Sequence, residues 1–246
     1  VRDAITDLLQ WTLTTVHHYA PAAPVLARAL QRTRSGTVVD LGSGGGGPWT
    51  RVLPDLTRHG VTPRVVLTDK YPNVRALDRT AARLGAGAMV EPDSVDAGAV
   101  PDRLAGFRTL FTTFHHFDPA RARAVLADAT RGARGIAVFE ATRRAPLTLF
   151  LMLGFVLAGV AAPFIRPFRW DRLFWCWVVP VVPLVAVWDG VVSCLRTYTP
   201  AELRGLAAGL DGWEWEAAEV SRRGWPVPVT YLVGYPRAAA ADRLGA

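Results

Sequence analysis

Lysine is almost missing from this 246-residue chain: Lys70 stands alone, and every other basic residue is arginine. Arginine keeps its charge and binds anions in a planar fork, although a bias this uniform also fits codon usage. Cysteine is nearly as scarce. Cys176 and Cys194 both lie in apolar sequence, with no CxxC or Cys/His spacing. That pattern excludes a disulfide framework and a zinc site of ordinary spacing, calls for no metal, and suits a reducing, cytoplasmic setting. No basic leader followed by an apolar run opens the sequence, so no signal peptide is read there. The formal net charge is +7. No basic helix carries interleaved aromatics, so nucleic acid is not an expected partner. The charge suits an anionic ligand or membrane surface instead. No internal repeat is present.

Apolar residues, by contrast, make up 50% of the chain. Ile5, Leu8, Leu9, Leu13 and Val16 recur at helical spacing, and residues 25–32 predict a second helix. Short apolar strands are expected at Val38 and Val39, over 65–68, near Met89 and Val90, and over 108–112 and 135–140. Helices are expected over 74–84 and over 119–130, the latter capped by Asp118. Thr199, Pro200 and Glu202 open another with a capping box. Residues 213–220 and 227–234 read as two closing strands. Strands alternating with helices predict an α/β fold with a doubly wound, parallel sheet. The expected organisation is a helical cap over 1–35, an α/β domain over 36–144 and 196–237, an apolar insertion over 145–195 and a tail over 238–246.

The segment VVDLGSGGGGPW, residues 38–49, places five glycines after a buried strand and before a helix. Glycine lets a ligand approach the backbone, and the helix start offers free N–H groups. Residues 42–47 satisfy the dinucleotide pattern GxGxxG, but three neighbours argue against a dinucleotide. Asp40 at the strand end repels a pyrophosphate and suits a cationic ligand. Asp69 ends the second strand, where an acid takes ribose hydroxyls. Asp96 and Ala97 follow the third, where an adenine is met.

At these residues the chain resembles the class I S-adenosylmethionine-dependent methyltransferases, over roughly residues 30–144 and 196–236. Asp40, Gly42, Ser43, Gly44 and Gly46 match that family's first motif. Asp69, followed by Lys70, matches its second acidic position, and Ser94, Val95, Asp96 and Ala97 its third motif. Residues 111–117, with Thr113, match its fourth. The resemblance implies S-adenosyl-L-methionine as cofactor, bound by these residues. It also implies a Rossmann-like seven-stranded sheet with an antiparallel last strand. The extra glycine and Pro48-Trp49 depart from the family pattern, and Trp49 is a candidate to cover the methionine end of the cofactor. Acceptor sites in the family are built from N-terminal helices, the loop after strand four and inserts after strand five.

His115 and His116 follow strand four, where an imidazole can be a general base or can merely pack under the cofactor. His18 and Tyr19 sit on a helix able to cap the site. Glu140 ends strand five and either binds substrate or pairs with Arg143 or Arg144. Asp189, flanked by Trp188, is the only charge between Leu173 and Leu195. In apolar surroundings it must be paired or shifted in pKa, so it is a catalytic candidate and Trp188 a substrate contact. Ion pairing with Arg196 is the structural alternative.

Residues 145–165 carry no charge, and 173–188 add a second uncharged run. The first is long enough to cross a bilayer, which takes about 20 residues. A hairpin crossing would send Arg166, Arg169 and Arg172 to the far side, against the positive-inside tendency. Monotopic attachment to the cytoplasmic membrane face is therefore expected. A soluble lid and a homodimer interface are the competing readings. All point to a hydrophobic, lipid-like acceptor. The expected activity is methyl transfer, to oxygen first, with carbon or nitrogen of a prenyl-like acceptor as the alternative. A nicotinamide-dependent reductase and a non-catalytic membrane adaptor are the rival functions, the former opposed by Asp40, Asp96 and the lack of a Tyr-x-x-x-Lys motif.

Overall fold

Val38 and Val39 point to opposite faces of one strand, and the two apolar layers they enter define the architecture. The computed structural model describes residues 15–152, 154 and 170–237. The helix expected from residue 3, most of the first uncharged run and the tail lie outside them. The strands are β1 (Thr37–Leu41), β2 (Arg64–Asp69), β3 (Ala88–Ser94), β4 (Phe107–Phe111), β5 (Gly135–Glu140), β6 (Trp213–Val220) and β7 (Val229–Pro236). They form one seven-stranded sheet in the order β3-β2-β1-β4-β5-β7-β6. β1 to β5 run parallel, and β7 is antiparallel to both neighbours.

Three helices cover one face: α1 (Ala23–Thr33), α2 (Trp49–Arg58) and α3 (Val74–Leu84). Leu26, Leu30, Leu56 and Leu77 pack there against Val38, Val65 and Phe107. On the other face, α4 (Pro119–Gly132) and α7 (Pro200–Ala207) bring Val125, Leu126 and Leu203 against Val39, Ile136 and Val138. The Asp118 carboxylate accepts the Arg121 N–H at 2.9 Å, and Thr199 and Glu202 close the capping box that starts α7. Between β5 and α7 lie α5 (Pro146–Met152), a helical turn over Trp170–Leu173 that widens at Phe174–Val178, and α6 (Val181–Arg196).

Residues 16–19 form a turn rather than a helix. His17 adopts φ 50° there, and its Nε2 meets the Asp55 carboxylate at 2.6 Å, which ties the turn to α2. No single helix among the described residues is long and apolar enough to cross a membrane. The bent pair α6 and α7 passes by length and composition, but Leu203 and Ala207 of α7 are core residues of the sheet.

Candidate active site

β1 and β4 are neighbours, while the chain leaves β1 toward β2 on its other side. The loops after the two strands therefore diverge, and the crevice between them is where open α/β sheets bind ligands. Residues 42–47 form one wall. Gly42 has φ +70°, and a Cβ on it would lie 2.7 Å from Thr113 Cγ2. Gly46 has φ +109°, and a Cβ there would fall 2.4 Å from Thr80 Oγ1. The loop thus lies too close to its supports for any side chain at either position.

Asp40 does not face this crevice. It is 1% exposed, and its two oxygens accept the Ser43 hydroxyl at 2.6 Å and the Thr109 hydroxyl at 2.7 Å. The Trp49 indole N–H faces the same carboxylate without closing a hydrogen bond. Burial raises the Asp40 pKa to about 6, against those stabilising donors. The residue read as a partner for a cationic ligand is instead a buried prop under the loop. Ser43, Gly46 and Ala97 are buried with it. Gly42, Gly44, Asp69, Lys70, Asp96 and Thr113 keep partial exposure. Asp69 accepts the Gly44 N–H and the Tyr71 N–H, both at 2.8 Å. Each of its oxygens retains a second acceptor position. Lys70 Nζ meets Asp96 at 2.7 Å; this bond and the Gly98 N–H hold the Asp96 carboxyl below the usual carboxylate range.

Beyond the loop after β4 lies a cavity of about 410 Å³, whose walls include His18, Thr112, His115, His116, Asp189 and Trp225. Thr112 turns the chain into it with φ 47°, an uncommon backbone conformation for a β-branched residue. His115 and Glu140 are 2% and 1% exposed. The Glu140 carboxylate takes the His115 backbone N–H at 3.1 Å and stands 2.7 Å from Nδ1. Burial presses this imidazole toward neutrality, yet the carboxylate outweighs it and holds the pKa above the ordinary histidine value. Nε2 is the ring nitrogen that Glu140 leaves unengaged. His116, more open, is pushed down by desolvation and by its charged neighbour. The parallel register of β4 and β5 brings the pair together, so Glu140 binds neither Arg143 nor Arg144. Those arginines meet Glu219 and Glu202.

Arg196 serves this turn instead of Asp189. Its guanidinium donates to the His115 and His116 carbonyls, at 3.1 and 2.9 Å, and no ion pair joins it to Asp189 among the described residues. Asp189 is half-buried in the cavity wall, but Trp188 is 71% exposed and does not line it. Trp49 is fully buried against Phe111, so it supports the loop from beneath and covers nothing in the crevice. The buried Tyr19 hydroxyl hydrogen-bonds Thr112, and burial lifts its pKa well above the ordinary tyrosine value.

His18 is 4% exposed. The Trp225 indole donates to its Nδ1 at 3.0 Å. An indole only donates, so Nδ1 is the acceptor and Nε2 carries the hydrogen. That Nε2 has no partner. Burial first, and the Arg222 charge second, lower the His18 pKa to about 4, so the ring is neutral at physiological pH.

Thr80, Thr109 and Trp225 were not apparent from the sequence, and Arg196 was read only as a partner for Asp189. Each acts across a long sequence separation, and a lone threonine, arginine or tryptophan carries no motif.

Sheet order, the antiparallel last strand and the glycine loop after β1 define the fold of the S-adenosylmethionine-dependent methyltransferases. Solved structures agree. The methyltransferase domain of bacterial CtHen1 superposes with a TM-score of 0.53 over 90% of this chain and 100% of its own, at 13% identity. An O-methyltransferase family protein from Burkholderia thailandensis superposes with a TM-score of 0.53 at 17% identity, over 94% of this chain and 59% of its own. Identities this low speak to the fold alone. No family profile and no curated protein sequence matches the chain.

Proposed function

We propose that this protein is an S-adenosylmethionine-dependent methyltransferase acting on an oxygen of a hydrophobic acceptor. One observation carries the reading. A glycine loop with acid-ended strands lies on the same sheet edge as a cavity containing a buried His115–Glu140 pair. The residues suit the cofactor. Asp69 has free acceptor positions for two ribose hydroxyls, and residues 42–47 admit a ligand against bare backbone. Lys70 and Asp96 border the same edge. When bound, S-adenosylmethionine supplies a methyl group on a sulfonium, open to nucleophilic attack.

The chain's own part is to position and deprotonate the acceptor. His115 Nε2 takes the proton of an acceptor hydroxyl, and Glu140 stabilises the imidazolium that results. The cavity volume lies within the range for small-molecule sites. The neutral His18 ring forms part of the cavity wall. Methionine and leucine from α5 wall the cavity against water.

Isothermal calorimetry with S-adenosylhomocysteine and with NADH tests the cofactor. Tight binding of the first, lowered about ten- to a hundredfold by Asp69→Ala through the loss of charge-assisted hydrogen bonds, is expected. Preference for NADH overturns the reading. Incubation of a lipid extract with isotopically labelled cofactor, followed by mass spectrometry, identifies the acceptor and the atom methylated.

A further inference from the structure

Among the described residues, large apolar side chains are exposed almost entirely in one segment. Of the sixteen exposed ones described, thirteen fall between Leu147 and Leu195. Soluble surfaces scatter such residues singly, and a contiguous apolar patch marks an interaction site. The helices that carry them have two faces. In α5, Met152 walls the cavity while Phe150 is 68% exposed. In α6, Asp189, Gly190 and Ser193 wall the cavity while Leu184 and Trp188 are more than 60% exposed. One short segment thus separates the acceptor cavity from its own apolar outer surface.

We infer that this outer surface seats in the interfacial layer of an anionic lipid bilayer, and that the acceptor enters the cavity from there. The chemistry favours lipid over a protein partner. Four of the exposed residues, Trp170, Trp175, Trp177 and Trp188, are tryptophans, whose apolar ring and polar N–H suit the depth of the headgroups. The segment from residue 145 to 195 carries Arg166, Arg169 and Arg172 against Asp171 and Asp189. Asp189 belongs to the cavity wall, so the remaining charge is cationic and complements anionic headgroups. The same arginines oppose a crossing hairpin, so α5 and α6 rest in one leaflet rather than cross.

The entry of the acceptor rests on the methyltransferase reading; the seating does not. The test is co-sedimentation of the full chain with vesicles of phosphatidylcholine and phosphatidylglycerol, without cofactor. The wild type should pellet, less so with phosphatidylcholine alone. A variant combining Phe150→Gln, Val178→Gln, Leu184→Gln and Trp188→Gln changes exposed positions outside the cavity. It should melt like the wild type by circular dichroism and partition at least about tenfold less. The Asp69→Ala variant should pellet normally while binding S-adenosylhomocysteine about ten- to a hundredfold more weakly, which separates the two readings. Three results would overturn the inference: a wild type that stays in the supernatant as a monomer, one that stays there as a concentration-dependent dimer, or a glutamine variant that pellets equally well. The dimer would make this face a contact between two copies of the chain.

Discussion

Substituting phenylalanine for His18 removes a buried base whose proton affinity differs between the folded and unfolded chain. The His18 pKa falls from 6.5 to about 4 on folding, through burial and then the Arg222 charge. The unfolded chain therefore takes up a proton that the folded chain refuses. The stability this residue contributes is complete above the unfolded value and declines as pH drops through the interval between the two. Linkage with these values puts the loss between pH 8 and pH 5 at about 2 kcal/mol. Asp40 acts in the opposite sense. Burial raises it from 3.8 to about 6, so the folded chain binds this proton first. Its contribution is complete below the unfolded value and is lost as pH rises through the folded one. Over the same interval on acidification it gains roughly 1 kcal/mol. The two oppose each other in the wild type. His18→Phe should therefore gain about 2 kcal/mol relative to the wild type on going from pH 8 to pH 5, and Asp40→Asn should lose roughly 1 kcal/mol. Urea midpoints followed by circular dichroism across this range measure both differences. A phenylalanine variant with a constant offset from the wild type would refute the burial of a neutral His18.

Glu140→Gln removes the charge that holds His115 up. The NMR titration of that imidazole should move to lower pH, and the ascending limb of the methyl-transfer pH profile should move with it while the plateau rate falls. An unmoved limb would exclude His115 as the base. Gly46→Ala places a methyl group 2.4 Å from Thr80 Oγ1 at φ +109°, and should weaken S-adenosylhomocysteine binding at least about tenfold by calorimetry through displacement of the loop. Unchanged affinity would remove residues 42–47 from the cofactor site.

Much of the sheet was legible because burial leaves a period in the sequence. β5, β6 and α3 have their expected limits, since β5 is a continuous apolar run, β6 interleaves apolar residues with glutamates and α3 carries a helical stripe. The caps at Asp118 and Thr199 were legible because capping chemistry is local. The site was harder, because its pairings are not local. Asp40 marked a strand end in the sequence, yet it lies within β1, satisfied by Thr109 from the neighbouring strand. Glu140 was read toward substrate, Arg143 or Arg144, and the β4/β5 register gives it His115 instead. Trp188 and Asp189 are adjacent in sequence and about 100° apart around a helix; Asp189 shares the cavity face with Gly190 and Ser193, and Trp188 falls on the outer one. Trp49, the first residue of α2, turns into the core because Phe111 and Asp40 lie beneath it; composition alone gave no direction.

Arg196 is the last residue of α6, and it grips the backbone of both histidines after β4. A rigid rod with its grip at one end behaves as a lever. Any force that rocks α6 is delivered to the peptide planes that aim the imidazoles, so the posture of both rings is set partly by whatever the far side of that rod is leaning on.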